Sequence, residues 1–444
     1  MKQLKSIFVI FSFCSSLSYG AKLVSYCTLA ENSKEVKGQN TEERMPLASV
    51  SKLFTALLTV SQNSIDKKIY TQFYYTPVGN GAYDVHVKGG HEPYFSRQAL
   101  HWMIAKLNEA KITRIRNFTF DENFKYYHDT DKRARIGKKL IDPVSGKSAL
   151  DAPEPELVQA QLSQNAEVLK AYDKSVKEAQ QNGVQLPNKL IFNPEKIAFL
   201  KSSEFTQSAK TQKGYVASPD ILHMLKLMDW NSNNHAANQF FQLSGGIKSF
   251  NNLFYDKLGL QEKDVRFVNG SGQNANLAGD GRNYNEATCS TVVRTVKALK
   301  KALEIQNAKL QDAVSVMGGD IGSTVGGKTY TNPTTALSVI AKTGMVGTNV
   351  TLAGMISSKT GNHFFFFNVE VNSASGSSKR KAAFVNAEAN RARKIISGKL
   401  TELIHKLGGP LPIEYKLKNF DLENFEEFGE EAADAGSSIM GTVG

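Results

Sequence analysis

Pro46-Leu47-Ala48-Ser49-Val50-Ser51-Lys52-Leu53-Phe54-Thr55-Ala56-Leu57-Leu58-Thr59-Val60 is the stretch on which the fold turns. After Lys52 it is apolar on nearly every face, which predicts a helix buried in a core rather than lying on a surface. Ser49 and Lys52 stand three apart at its N-terminal end and so share one face. Burial and the positive helix end both disfavour an ammonium there. Lys52 is therefore placed to rest neutral and take the proton of Ser49, and the same helix end favours the developing alkoxide. The plain alternative makes Ser49 an N-cap and Lys52 a snorkelling side chain. Ser-x-x-Lys recurs at Ser64/Lys67 and Ser378/Lys381, so the pattern alone does not decide between the two.

The 444 residues, 41% of them hydrophobic, suffice for a large core and two or three domains. Lys2 and Lys5 precede the apolar run Ile7–Phe11, which fades into Ser18-Tyr19-Gly20. That run is too short to span a bilayer and reads as a secretory signal cleaved before Ala21. Phe13 before Cys14 spoils a lipoprotein site, so a soluble exported chain is expected. Cleavage leaves Cys27 and Cys289. An oxidising compartment permits a bridge, but two cysteines make no disulfide framework, and two buried free thiols are the expectation.

The formal charge is +12, and Asp421, Glu423, Glu426, Glu427, Glu430, Glu431 and Asp434 form an acidic tail without a Lys or Arg. Without those seven negatives the rest of the chain stands near +19, a body drawn to polyanions. In an exported protein that means cell-wall polymer or membrane surface sooner than nucleic acid. No zinc-finger spacing, RNA-recognition signature or basic heptad helix is present.

Beyond the buried helix, Lys67 to about Lys213 reads as a separate body. It holds an alternating strand, Asp84–Lys88, and a turn, Gly89–Pro93. A helix carrying Leu100, Met103, Ile104 and Leu107 follows, then a strand from Ile112 to Phe120. One long amphipathic helix is expected around Glu156–Gln181. Apolar patterning resumes at Tyr215, with a helix through Ile221–Met228, a polar loop carrying Ser232, and a second helix toward Phe240. Asn269–Gly272 marks a turn and Thr288–Ile305 a helix. Ala336–Gly344, Val350–Ile356 and His363–Val371 read as three antiparallel strands, and Arg380–Lys406 as a closing helix. Gly322–Thr329 fits the phosphate-loop pattern letter for letter, but Tyr330-Thr331-Asn332-Pro333 cannot open the helix that such a loop needs. Nucleotide binding is not expected.

Three elements then stand in order: Ser49-x-x-Lys52, Ser232-x-Asn234 and Lys342-Thr343-Gly344. They fall on a buried helix start, an inter-helix loop and a sheet strand, the pattern of serine acyl-transferases acting on D-alanyl peptides and β-lactams. The chain resembles the class C low-molecular-mass penicillin-binding proteins, exported D-Ala-D-Ala carboxypeptidase/endopeptidases of the penicillin-binding protein four type. Pro46–Val60, Ser232–Asn238 and Ala341–Gly354 are similar to the three motif regions. Val85–Asp121 and Asn269–Gly272 match outside them. The 179 residues between Lys52 and Ser232 suit a family that inserts whole domains there, whereas serine β-lactamases keep that gap much shorter.

The resemblance implies an α+β fold: a β-lactamase/DD-peptidase-like antiparallel sheet flanked by helices, with an inserted smaller α/β domain. Residues 1–20 would be the signal peptide, 21–66 and 214–412 the two segments of the transpeptidase-like body, 67–213 the insert and 413–444 the acidic tail. It also implies an exported, periplasmic DD-peptidase working through an acyl-enzyme. Ser49 would be nucleophile and Lys52 base, and Ser232 would bridge Lys52 and Lys342 and pass a proton to the leaving amine. Asn234 would hold the substrate amide, Lys342 supply positive potential and Thr343, before Gly344, bind the carboxylate. The backbone N–H groups of Ser49 and Met345 would form the oxyanion hole, where one donor is worth about 3 kcal/mol. The partners implied are peptidoglycan and, as covalent inhibitors, β-lactams. No nucleic acid, cofactor or metal is expected, since neither His-Glu-x-x-His nor a Cys/His cluster is present. Oligomeric state stays open.

The chain departs from the family where Gly-Asp-Pro becomes His91-Glu92-Pro93 and Asp-Gly-Ser-Gly becomes Asn269-Gly270-Ser271-Gly272. The hydroxyl residue after Lys-Thr-Gly is Met345, which leaves one carboxylate contact unaccounted for. From about Thr130 to Lys210 there is no match, and so short an insert suggests fewer lids and a more open cleft. A serine β-lactamase and a non-catalytic peptidoglycan-binding module are the competing readings. Labelled penicillin on Ser49 separates the module from the enzymes.

Overall fold

Alternation of period two marks the first strand, β1 (Lys22–Ala30), where Ser25, Cys27 and Leu29 point inward between half-exposed neighbours. The computed structural model describes residues 21–95, 97–126, 154–164, 168–170, 172–181, 185–187, 189–275, 283–347, 349–371 and 378–416. The expected signal peptide, the acidic residues Asp421–Asp434 and residues 127–153 lie outside the described residues. β2 (Val36–Gln39) and β3 (Arg44–Pro46) lead into the buried helix α1 (Ser51–Gln62).

The chain then enters the insert, with β4 (Tyr70–Gly79), β5 (Ala82–Lys88), α2 (Arg97–Glu109) and β6 (Ile115–Phe120). Next come α3 (Glu154–Leu162), α4 (Tyr172–Gln181), β7 (Lys196–Phe199) and β8 (Gln212–Ala217). The strands form a mixed sheet in the order β7-β6-β5-β4-β8, parallel across β5-β6-β7 and antiparallel elsewhere. It encloses its own core around Phe73, Leu100, Met103, Phe118 and Phe120. The single amphipathic helix expected over Glu156–Gln181 is instead broken, with α3 ending at Leu162 and α4 beginning at Tyr172. α3 gives way to a turn at Ser163, a residue that competes for its own backbone, and α3 and α4 place Leu162 and Tyr172 on that core separately. The two ends of the insert meet where Ser218 N–H donates to the Ile69 carbonyl at 2.8 Å.

The return segment supplies α5 (Ile221–Trp230), α6 (Asn234–Leu243), β9 (Val265–Arg266) and β10 (Glu286–Thr288). It continues with α7 (Cys289–Ile305), β11 (Val339–Val346), β12 (Asn349–Ser358), β13 (Gly361–Glu370) and α8 (Ser378–Lys406). The main sheet runs β11-β12-β13-β1-β2, antiparallel throughout. Its phenylalanine run explains the layering. Phe364 and Phe366 join the core under α1 and α7, while Phe365 and Phe367 join the one under α8. A sheet covered on both faces needs large apolar side chains at every position. At the far end Ile413 N–H bonds the Leu337 carbonyl at 2.6 Å and Tyr415 bonds Asp320, so the chain up to 416 packs on this body.

One expectation is overturned. Cys27 and Cys289 are joined in a disulfide across 262 residues. The strand carrying Cys27 was not evident as a partner of β13, and its register places Cys27 opposite Phe366, beside the first residue of α7.

Candidate active site

Ser49 sits in a tight turn, Ala48–Val50, just before α1 rather than as its cap, and it caps no helix end through its side chain. The turn is held under tension. Ala48 adopts a φ of +52°, a left-handed conformation that costs a non-glycine residue about 1–2 kcal/mol. Contacts on both sides sustain it. Leu47 N–H donates to the Asn285 carbonyl at 2.9 Å, Thr351 Oγ1 to the Leu47 carbonyl at 3.0 Å, and Asn368 Nδ2 to the Pro46 carbonyl at 3.0 Å. Sheet strands β12 and β13 thus fix where the serine stands.

Lys52 is fully buried and does not snorkel. Its Nζ donates to Ser49 Oγ at 2.9 Å, Asn234 Oδ1 at 2.6 Å and the Ser271 carbonyl at 3.1 Å. Asn234 opens α6, whose N-cap is its neighbour Asn233, accepting from Ala236 N–H at 3.1 Å. Capping by Asn233 orients the first turn so that Asn234 faces Lys52. Ser232, with a φ of +50°, donates its N–H to the Asp229 carbonyl at 3.1 Å and lines the same cleft as Ser49. Its hydroxyl makes no hydrogen bond among the described residues, so the expected bridge between the two lysines is not formed in this state.

Strand β11 brings in Lys342, Thr343, Gly344 and Met345. Lys342 is buried and donates to the Thr343 carbonyl at 3.0 Å. Burial pushes its ammonium down to about 8, and the charge of Asp229 works against that fall. Burial in turn raises the Asp229 carboxyl, opposed first by Lys342. Asp229 Oδ2 accepts the Ser315 N–H at 2.8 Å, and the Ser315 carbonyl accepts Ala341 N–H at 2.8 Å, next to Lys342. Gly344 lets the strand come close: a Cβ there would lie 2.2 Å from Thr351 Oγ1 and 3.0 Å from the Leu47 carbonyl. Ser49, Ser232, Thr343, Gly344 and Met345 line one cleft of about 450 Å³.

No family model matches the sequence, and no curated protein sequence does. Solved structures do. The chain is 31% identical to the predatory endopeptidase Bd3459 of Bdellovibrio bacteriovorus in its complex with an immunity protein, over 90% of this chain and 96% of that one, with a TM-score of 0.76. The penicillin G-acylated form of that enzyme aligns at 30% identity over 90% and 96%, with a TM-score of 0.72. The chain belongs to the class C low-molecular-mass penicillin-binding proteins. Penicillin-binding protein 4 of Haemophilus influenzae shares the fold at 15% identity, over 86% of this chain and 97% of that one, with a TM-score of 0.58.

In this penicillin-binding protein, three further features build the site, two of them on stretches that the sequence marks only as a turn and as a phosphate-loop pattern. The turn Asn269–Gly272 backs the lysine. Asn269 Oδ1 gathers the N–H groups of Ser271 and Gly272 at 3.1 and 2.8 Å, and the Gly270 carbonyl takes the Thr55 hydroxyl at 2.7 Å. Thr324, Gly327 and Thr329, from the stretch with the phosphate-loop pattern, line the cleft from turns rather than from a helix. Arg393, from α8, lines it beside Met345. Their place at the site carries no local signal: a carbonyl has no side-chain signature, and α8 reaches the cleft only through tertiary packing.

Proposed function

We propose that this protein hydrolyses peptidoglycan stem peptides through an acyl-enzyme on Ser49, cutting D-alanyl cross-links as an endopeptidase. The observation that carries the reading is the buried Lys52 side-chain nitrogen, 2.9 Å from Ser49 Oγ and held there by Asn234 and Ser271. That is proton-transfer distance for a general base. Ser49 attacks the D-alanyl carbonyl as Lys52 takes its proton. The developing oxyanion meets the backbone N–H groups of Ser49 and Met345, which Gly344 lets close on the serine. Ser232 returns a proton to the leaving amine. Asn234 holds the substrate amide, while Lys342 and Thr343 attract its carboxylate. Water then releases the acyl group.

Two relatives at about 30% identity, Bd3459 and Bd0816 of Bdellovibrio bacteriovorus, are described as endopeptidases, which favours cross-link cutting over trimming of terminal D-alanine. Penicillins are expected to acylate Ser49 as they do in that relative. The Cys27–Cys289 bridge and the apolar run Ile7–Phe11 support export to an oxidising compartment, the periplasm. A strongly basic body favours an anionic wall as partner.

The test is the muropeptide profile of purified sacculi after incubation with the protein, with Ser49→Ala as control. Loss of cross-linked dimers is expected. Loss of pentapeptides alone would make the enzyme a carboxypeptidase. A profile matching the control would sink the peptidase reading and leave the β-lactamase, which penicillin turnover would then reveal.

A further inference from the structure

Among the described residues, the cleft lining carries one formally charged side chain, and it is a cation. Arg393 shares the lining with polar and apolar residues only. Its helix is fixed in rotation by Ala389, Ala392 and Ile396, all fully buried against the outer face of the main sheet. Arg393 Nη1 donates to Asn390 Oδ1 at 2.8 Å, and Nη2 lies 3.7 Å from the sulfur of Met345. Among the described residues no carboxylate pairs with it. Thr343 and Met345 are two apart on β11 and so point to the same face of the strand. Arg393 therefore stands on the side of the strand from which Thr343 faces the cleft. The buried Tyr330 hydroxyl stands on the same lining, within reach of the Arg393 guanidinium. A guanidinium with no carboxylate partner, set on the wall of a cleft beside a hydroxyl, is suited to bind an oxyanion.

We propose that Arg393 is a specificity-determining residue that binds the carboxylate of the leaving D-amino acid, the contact that Met345, standing where a hydroxyl residue is usual, cannot make. The inference rests on the DD-peptidase reading above. The same carboxylate chemistry is present whether the leaving group is a terminal D-alanine or the D-centre of a cross-linking diamino acid. In both, it sits on the carbon next to the departing nitrogen. Arg393 thus acts on substrate capture and acylation. It loses its partner once the leaving group departs, so hydrolysis of the acyl-enzyme does not involve it.

The experiment follows acylation of Ser49 by mass spectrometry, using benzylpenicillin and its methyl ester on the unaltered protein, Arg393→Gln and Arg393→Lys. Hydrogen bonds to charged groups of this kind correspond to a rate change of about 10- to 100-fold. The acid-to-ester preference in second-order acylation should fall by that factor in Arg393→Gln and be partly restored in Arg393→Lys. Because both compounds are read on one preparation, partial misfolding cancels in the ratio. An unchanged ratio in both variants, whether or not the rates themselves fall, would overturn the proposal and make Arg393 a packing residue. Failure of benzylpenicillin to acylate the unaltered protein would overturn the underlying reading, and the proposal with it.

Discussion

Lys52 Nζ lies 2.6 Å from Asn234 Oδ1, a contact made across 182 residues of chain that welds α6 to the start of α1. The lysine is buried, so each lost acceptor leaves a donor without a partner, at about 1–3 kcal/mol. Asn234→Ala should slow acylation by penicillin on the order of 100-fold. Asn234→Asp should slow it further, because a carboxylate at that distance favours the charged ammonium, which cannot accept a proton. Stopped-flow acylation of the two variants checks this. Equal losses would mean that geometry rather than charge is what Asn234 supplies.

Asp229 and Lys342 set a second electrostatic relationship. Positive potential in the cleft requires Lys342 protonated, and burial brings its ammonium down to about 8. The second-order acylation rate should therefore fall on the alkaline side with an apparent midpoint near pH 8. Asp229 opposes that fall in pKa, so Asp229→Asn should move the alkaline limb to lower pH. The same limb in both proteins would mean that Asp229 acts only through its bond to the Ser315 backbone.

Gly272 reports on the turn behind the lysine. Its φ is +77°, and a Cβ there would stand 2.0 Å from the Ala48 carbonyl and 2.4 Å from Ser51 Oγ. Neither backbone nor helix start can yield without moving Ser49. Gly272→Ala should lose penicillin acylation almost completely. Gly361→Ala, at a φ of +107° with open space around the new methyl group, should lose stability alone.

Much of this site was legible because its groups are side chains on elements with strong periodic signals. Lys52 sits at the start of an apolar helix with Ser49 in the turn just before it, and Lys342 to Met345 continue the apolar run Val339-Ile340-Ala341 of a strand. What was hidden depends on contacts distant in sequence. The Ser271 carbonyl reaches Lys52 as backbone, and Arg393 meets Met345 only because α8 lies across the outer face of the sheet. The strand β1 was overlooked for a similar reason: its partner β13 is over 300 residues away, and with it went the pairing of the cysteines. The end of α3 falls at Ser163-Gln164, too short a polar signal to interrupt a helical period.

The Cys27–Cys289 bridge closes a loop of 262 residues between β1 and the start of α7. Closing so long a loop restricts the unfolded chain, and such bridges typically contribute about 2–4 kcal/mol. The double variant Cys27→Ser, Cys289→Ser should melt several degrees lower while keeping acylation of Ser49, since neither cysteine lines the cleft. Thiol titration of the denatured chain from residue 21 should find no free thiol until reductant is added. Two titratable thiols would return the chain to the free-cysteine expectation.

Glu92 gives the insert a pH-dependent weakness. It lies in the turn after β5, fully buried, with the Thr71 hydroxyl 3.4 Å from Oε2, and burial pushes its carboxyl up to about 8. The folded state therefore binds a proton that the unfolded chain, with its ordinary carboxyl near 4.5, releases much earlier. Stability from this group is full below pH 4.5 and is lost as pH rises toward 8. Urea unfolding at pH 5 and pH 8 should show the unaltered protein weaker at the higher pH, and Glu92→Gln, which carries no proton to lose, should narrow that gap. The glutamine fits the same space and can still meet Thr71, so the comparison isolates charge from packing. If the variant and the unaltered protein lose stability in parallel between the two pH values, Glu92 is paired in solution and its burial carries no such cost.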